Sequence, residues 1–152
     1  MGRARIATVE PPSGGGHADM HPRGGLVYLA STALDQVEIL DRPGARHLGS
    51  LAGCAEGSGV SSCGHAVATA ARGSGELLVR DGATGELLRR FGVGPSPNGL
   101  AWDPDRSRLL VADTSEHNVR LVDLEGGATS TLARSPVVPA GRSTTRAQAA
   151  ST

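Results

Sequence analysis

Aromatic side chains are almost missing: one Trp, one Tyr and one Phe stand among 152 residues, 2% of the chain. Any core must therefore be built from Leu, Val, Ile and Ala, and it packs thinly. Lysine is absent, and the fifteen basic residues, all Arg, are cancelled by fifteen acids. A neutral chain sets up no global field toward nucleic acid or an acidic membrane, so neither is expected as a partner. No run approaches the ~18 apolar residues of a membrane helix. The opening MGRARIATVEPPSGGG has basic residues but no apolar stretch of a signal peptide behind them. As written the chain is expected in the cytoplasm; a leader upstream of Met1 would direct it to the periplasm or the outside. Two cysteines are too few for a disulfide framework. Cys54, Cys63 and His65 match no zinc spacing and want a fourth ligand, so reduced thiols are expected there.

What is plentiful is glycine, 22 residues, with 9 prolines, a composition of turns and short strands rather than long helices. Three apolar segments recur: LVYLAST from Leu26, AVATAAR from Ala66 and LLVADTS from Leu109, starting 40 and 43 residues apart. Each is followed by a second alternating segment with an acidic end, VEILD at 37–41, LLVRD at 77–81 and VRLVD at 119–123. A glycine turn comes next, closing at Gly44, Gly85 and Gly127. Asp accepts backbone N–H groups in such turns and Gly takes the positive φ that closes them. Third strands follow in ARHLGSL, ELLRRF and ATSTL.

Period-2 alternation in units of this length, with turn chemistry between strands, predicts an all-β chain of about three four-stranded antiparallel meanders, the blades of a β-propeller. LAW at 100–102 supplies the innermost strand of the third unit, turning at 103–105, and Pro97 is tolerated because it precedes that strand. The first unit offers only HADMHP in that place. The units are expected at 16–51, 52–92 and 93–133, between a flexible segment at 1–15 and a disordered tail at 134–152 that has no acid, no aromatic and no apolar period.

PNGLAWDPDRSRLLVADTSEHNVRLVDLEGG resembles the YVTN/NHL-type bacterial propeller repeat, over roughly residues 16 to 133. The resemblance implies a ring of blades with loops converging on a central channel. Aligning GGH at 15–17, AEG at 55–57 and PNG at 97–99 makes His17, Glu56 and Asn98 equivalent and aims an imidazole, a carboxylate and an amide at one axis. The loops after each second strand add Thr32, Asp35, Arg72, Asp113, Glu116 and His117 on the same face. These side chains suit a small molecule, a protein or a divalent cation such as Ca²⁺, with Glu56, Asn98 and His17 as candidate ligands.

Asn98 also resembles the metal-binding Asn of gluconolactonase-like propellers, where a divalent ion serves lactone opening. Glu56, however, sits one blade before Asn98 rather than on a distant one, and the later aspartate of that family has no counterpart. His47, His65 and His117 have no serine in a nucleophile-elbow setting, and GVGPSPNG lacks the lysine and helix of a phosphate loop. The expectation is a non-catalytic binding module, with a piece of a metal-dependent lactonase as the alternative. Three blades do not close a ring, so either a longer chain or further copies of this one would have to complete it.

Overall fold

The computed structural model describes residues 18–20, 25–41 and 46–136. Twelve strands run through them: β1 Ala18–Met20, β2 Leu26–Ser31, β3 Gln36–Asp41, β4 Arg46–Ala52, β5 Gly57–Cys63, β6 Ala66–Ala71, β7 Glu76–Asp81, β8 Leu87–Gly92, β9 Pro97–Asp103, β10 Arg108–Asp113, β11 Asn118–Asp123 and β12 Thr129–Arg134. They form three four-stranded sheets, each a simple antiparallel meander in chain order. The helical content of the described residues is a single turn of 3-10 helix, Pro104–Arg106. No helix there is long and apolar enough to cross a membrane.

The strands form where apolar residues alternate, and they end where an aspartate takes over the backbone. Oδ1 of Asp81 accepts the N–H groups of Ala83 at 2.9 Å and Thr84 at 2.8 Å, and Gly85 closes the turn at φ 75°. Asp123 does the same for Glu125 and Gly126, both at 3.0 Å, with Gly127 at φ 78°. Donors aimed at the anion favour it, so both carboxyls lie below the ordinary aspartate value. Two turns of one design in successive sheets mark true repeats. The corresponding turn at 42–45 lies outside the described residues.

Each sheet packs face to face on the next in chain order, β1 and β2 against β5, then β5 and β6 against β9. Two cores result. The first, between sheets one and two, gathers Tyr28, Ala30, Val37, Leu51, Val60, Val67 and Leu78. The second, between sheets two and three, gathers Leu77, Val79, Phe91, Leu109, Val111 and Val122, with Leu100 and Trp102 partly buried against it. Aliphatic side chains fill most of both junctions, as the scarcity of aromatics requires, with Tyr28 in the first core and Phe91 and Trp102 at the second. The three sheets span an arc without closing it.

Two local expectations change. The first sheet has its innermost strand after all, with Ala18 opposite Leu29 and Met20 opposite Val27. Pro97 lies inside β9 rather than before it, opposite Asp113; β9 is an edge strand and its pairing shifts register between Val111 and Asp113, the kind of place where a residue without an N–H is tolerated. The expected flexible segment at 1–15 and all but the first three residues of the expected tail fall outside the described residues.

Candidate functional site

Three hairpin loops and two connections between sheets meet at one end of the sheets. The loops are residues 32–35, 72–75 and 114–117; the connections are 53–56 and 93–96. Backbone hydrogen bonds lock them to one another. The carbonyl of Asp35 accepts from Gly53 at 2.8 Å and Cys54 at 3.0 Å, and its Oδ1 accepts the Glu56 N–H at 3.3 Å. Arg72 N–H donates to the Glu56 carbonyl at 3.3 Å, and Gly73 N–H to that of Ala55 at 3.0 Å. Thr114 N–H reaches the Ser96 carbonyl at 3.0 Å.

On this frame Glu56, in the left-handed region at φ 47°, meets Arg72: Nε stands 3.5 Å from Oε2, with the two side chains 50% and 55% exposed. Such a pair contributes little to stability, so both charges stay available to a ligand. Of the expected site residues these two are brought together directly.

Asp113 is buried, 1% exposed, and its carboxylate is taken up by its own loop. Oδ1 accepts from the N–H and hydroxyl of Ser115 and the N–H of Glu116, each at 3.0 Å, and Oδ2 accepts Ser96 N–H at 3.4 Å. Burial pushes this carboxyl up, but the donors from Glu116, Ser115 and Ser96 outweigh it and hold the group below the ordinary value of 3.8. Asp113 thus organises the loop. Glu116 beside it receives Asn118 Nδ2 at 3.1 Å and Arg120 Nη2. His117 is exposed, at φ 52°, and lines a groove of about 340 Å³ between residues 117–119 and 133–135. That groove opens at the β11–β12 side, away from the innermost strand β9.

Asn98 lies on β9 with Oδ1 buried and without a hydrogen-bond partner in the protein. Its structural counterpart is not Glu56. Val60 faces Thr69 as Leu100 faces Val111, so Gly59 matches Gly99 and Ser58 matches Asn98, while Glu56 matches Ser96. The inner turn explains the shift: Gly64 and His65 suffice to join β5 to β6, whereas residues 104–107 are needed between β9 and β10. His17 lies outside the described residues. Cys63 ends β5 and Cys54 lies before its start, so the roughly 20 Å length of that extended strand keeps the two apart. Among the described residues no group of three His, Cys, Asp or Glu forms a candidate metal site.

No protein-family model and no curated protein matches the chain. Solved structures do. Hydrazine synthase from Kuenenia stuttgartiensis superposes with a TM-score of 0.72 at 18% identity, over 86% of this chain and 38% of that one. The Cps50 (Swd1) β-propeller domain from Myceliophteria thermophila gives 0.67 at 18% identity, over 89% and 43%, and U3-55K gives 0.66 at 14%, over 76% and 36%. The fold is that of β-propeller blades. The chain spans about two fifths of the length of these propeller-containing chains. At such identities the likeness concerns the fold alone.

The inner-strand residues Ser58 and Gly59 escaped sequence reasoning, although they hold the second blade to the third. The Ser58 hydroxyl bonds the Pro97 carbonyl, and a Cβ on Gly59 would lie 1.9 Å from the Asn98 carbonyl oxygen. Glycine is required there by close approach. The match of Gly59–Val60 to Gly99–Leu100 was the available signal.

Proposed function

We propose that this chain is a YVTN/NHL-type repeat protein acting as a non-catalytic binding module, whose loop end engages a small molecule or a protein through Glu56 and Arg72, with Asn98 on the innermost strand of the next blade. One observation carries the reading: Glu56 and Arg72 form an exposed ion pair on loops that are themselves fixed by backbone hydrogen bonds. A preorganised polar pair on a rigid scaffold loses little entropy on binding. Asp113 supports the reading by ordering the neighbouring loop from within.

A fluorescently labelled chain on carbohydrate and peptide arrays tests this. Glu56→Ala with Arg72→Ala is expected to lose array binding while leaving the unfolding free energy within about 0.5 kcal/mol of the parent. Undiminished binding by the double variant would remove the loop end as the site.

Asn98 favours a second reading. Its unpartnered carbonyl oxygen is the kind of donor a hard cation takes, and the gluconolactonase-like alternative rests on it. The described residues place no carboxylate set around it and give Glu56 to Arg72, so they do not fit a lactonase metal and no hydrolytic step is derived. Calorimetric titration with Ca²⁺, Mn²⁺ and Zn²⁺, repeated on Asn98→Ala, would reinstate the ion if heat appears with the parent and vanishes with the variant.

A further inference from the structure

We propose that the outer face of the third blade is an interface for a second copy of this chain, whose first blade takes the next place, so that two chains close one ring. The proposal does not rest on what the loop end binds.

The two internal junctions show what such a face is made for. On the second blade, the side turned to the third carries Ala68, Ala70 and Leu77, each 0% exposed, and Val79, 5% exposed. Strand register gives their counterparts on the third blade as Leu110, Ala112, Val119 and Leu121. The same class of residue is kept at every one of these positions. Yet all four are only half-buried, and among the described residues no further sheet covers them. A sheet face meant for water would alternate to polar residues here.

The first blade offers the complementary half. Its side turned away from the second blade carries Val27 and Leu29, half-buried, where the register puts Val67 and Thr69 in the second blade and Leu109 and Val111 in the third, all 0% exposed. Farther out on that side Leu40 and Glu38 are already buried, the Glu38 carboxylate held by His47 and Gln36. The charge on this face is thereby satisfied before any partner arrives.

An unfilled far side at one end and an unfilled near side at the other are the two halves of a junction this chain makes twice internally. A twofold axis relating two copies forms both missing junctions at once, giving six blades, within the ~4–8 of closed propellers.

Sedimentation velocity of the full 152-residue chain, from low to high micromolar concentration, tests this. A species of twice the 15.4 kDa chain mass is expected. Leu121→Arg and Val27→Arg should each give monomers with the parent's circular dichroism. Mixing the two should restore a dimer, because one junction of the mixed pair is then free of both substitutions. Leu121→Gln replaces the arginine variant if that one fails to fold. A parent that stays monomeric, a parent that grows into open polymers, or folded variants that dimerise as the parent does would each overturn the proposal.

Discussion

The buried hydroxyl of Ser58 donates to the carbonyl oxygen of Pro97 at 2.5 Å, joining the innermost strands of adjacent blades by a side chain rather than by a ladder. The carbonyl of Ala70 stands 3.3 Å away as a second acceptor in the blade of Ser58 itself. Replacing Ser58 by Ala removes this bond from a closed junction and is expected to cost about 0.5–1.5 kcal/mol. Urea unfolding reads the loss. An unchanged midpoint would mean that the junction holds without this bond.

Next to it, Gly59 has no room for a side chain. Gly59→Ala would set a methyl 1.9 Å from the Asn98 carbonyl oxygen, backbone that cannot swing aside. Separating the strands enough to admit it is expected to cost about 1–3 kcal/mol. Gly99→Ala, made like Gly59→Ala in the Leu121→Arg protein so that no second copy covers the third blade, is the matched control, because its Cβ meets only the Ala112 methyl at 3.8 Å, an ordinary contact. Equal effects of the two changes would contradict the close approach.

Asp113 makes stability depend on pH with a definite sign. Its folded pKa is depressed, so its contribution is fully present above the unfolded value near 3.8 and is lost as pH falls through the folded one. Asp113→Asn, which cannot accept so many donors, should be destabilised by roughly 2 kcal/mol at neutral pH. The gap between parent and variant should shrink as the solution is acidified below about pH 4. Asp81 and Asp123 are held down by similar turns and titrate in both proteins, so only the difference is diagnostic. A gap independent of pH would show that the carboxylate charge is not what the loop uses.

The two thiols should react on different clocks. Burial pushes the Cys54 thiol up, and a protonated, enclosed sulfur is a poor nucleophile, whereas Cys63 is partly exposed. Native protein treated with a disulfide reagent is expected to modify Cys63 first and Cys54 only as it unfolds. Equal rates would place Cys54 outside the first core.

The blades were legible because their signals are local. LVYLAS, AVATAA and RLLVAD are apolar runs the length of single strands, and the aspartates at 81 and 123 each act on residues two and three ahead. The loop end was legible as a place but not as a geometry. AEG and PNG look alike because both end in glycine, yet the longer turn at 104–107 shifts the phase, and Ser58 rather than Glu56 stands where Asn98 stands. Asp113 was legible as an acid in a loop; that its carboxylate folds back onto Ser115 and Glu116 depends on which way the side chain turns.

Composition and periodicity alone settled that this chain makes short antiparallel strands packed through aliphatic side chains, since a residue's propensity and its nearest neighbours decide a strand and its turn. The pairing of Glu56 with Arg72, the burial of Asp113 and the contact of Gly59 with Asn98 were decided only when whole sheets met. Distances between residues forty positions apart are set by sheet packing, and a two-residue difference in one turn is enough to change which of them face each other.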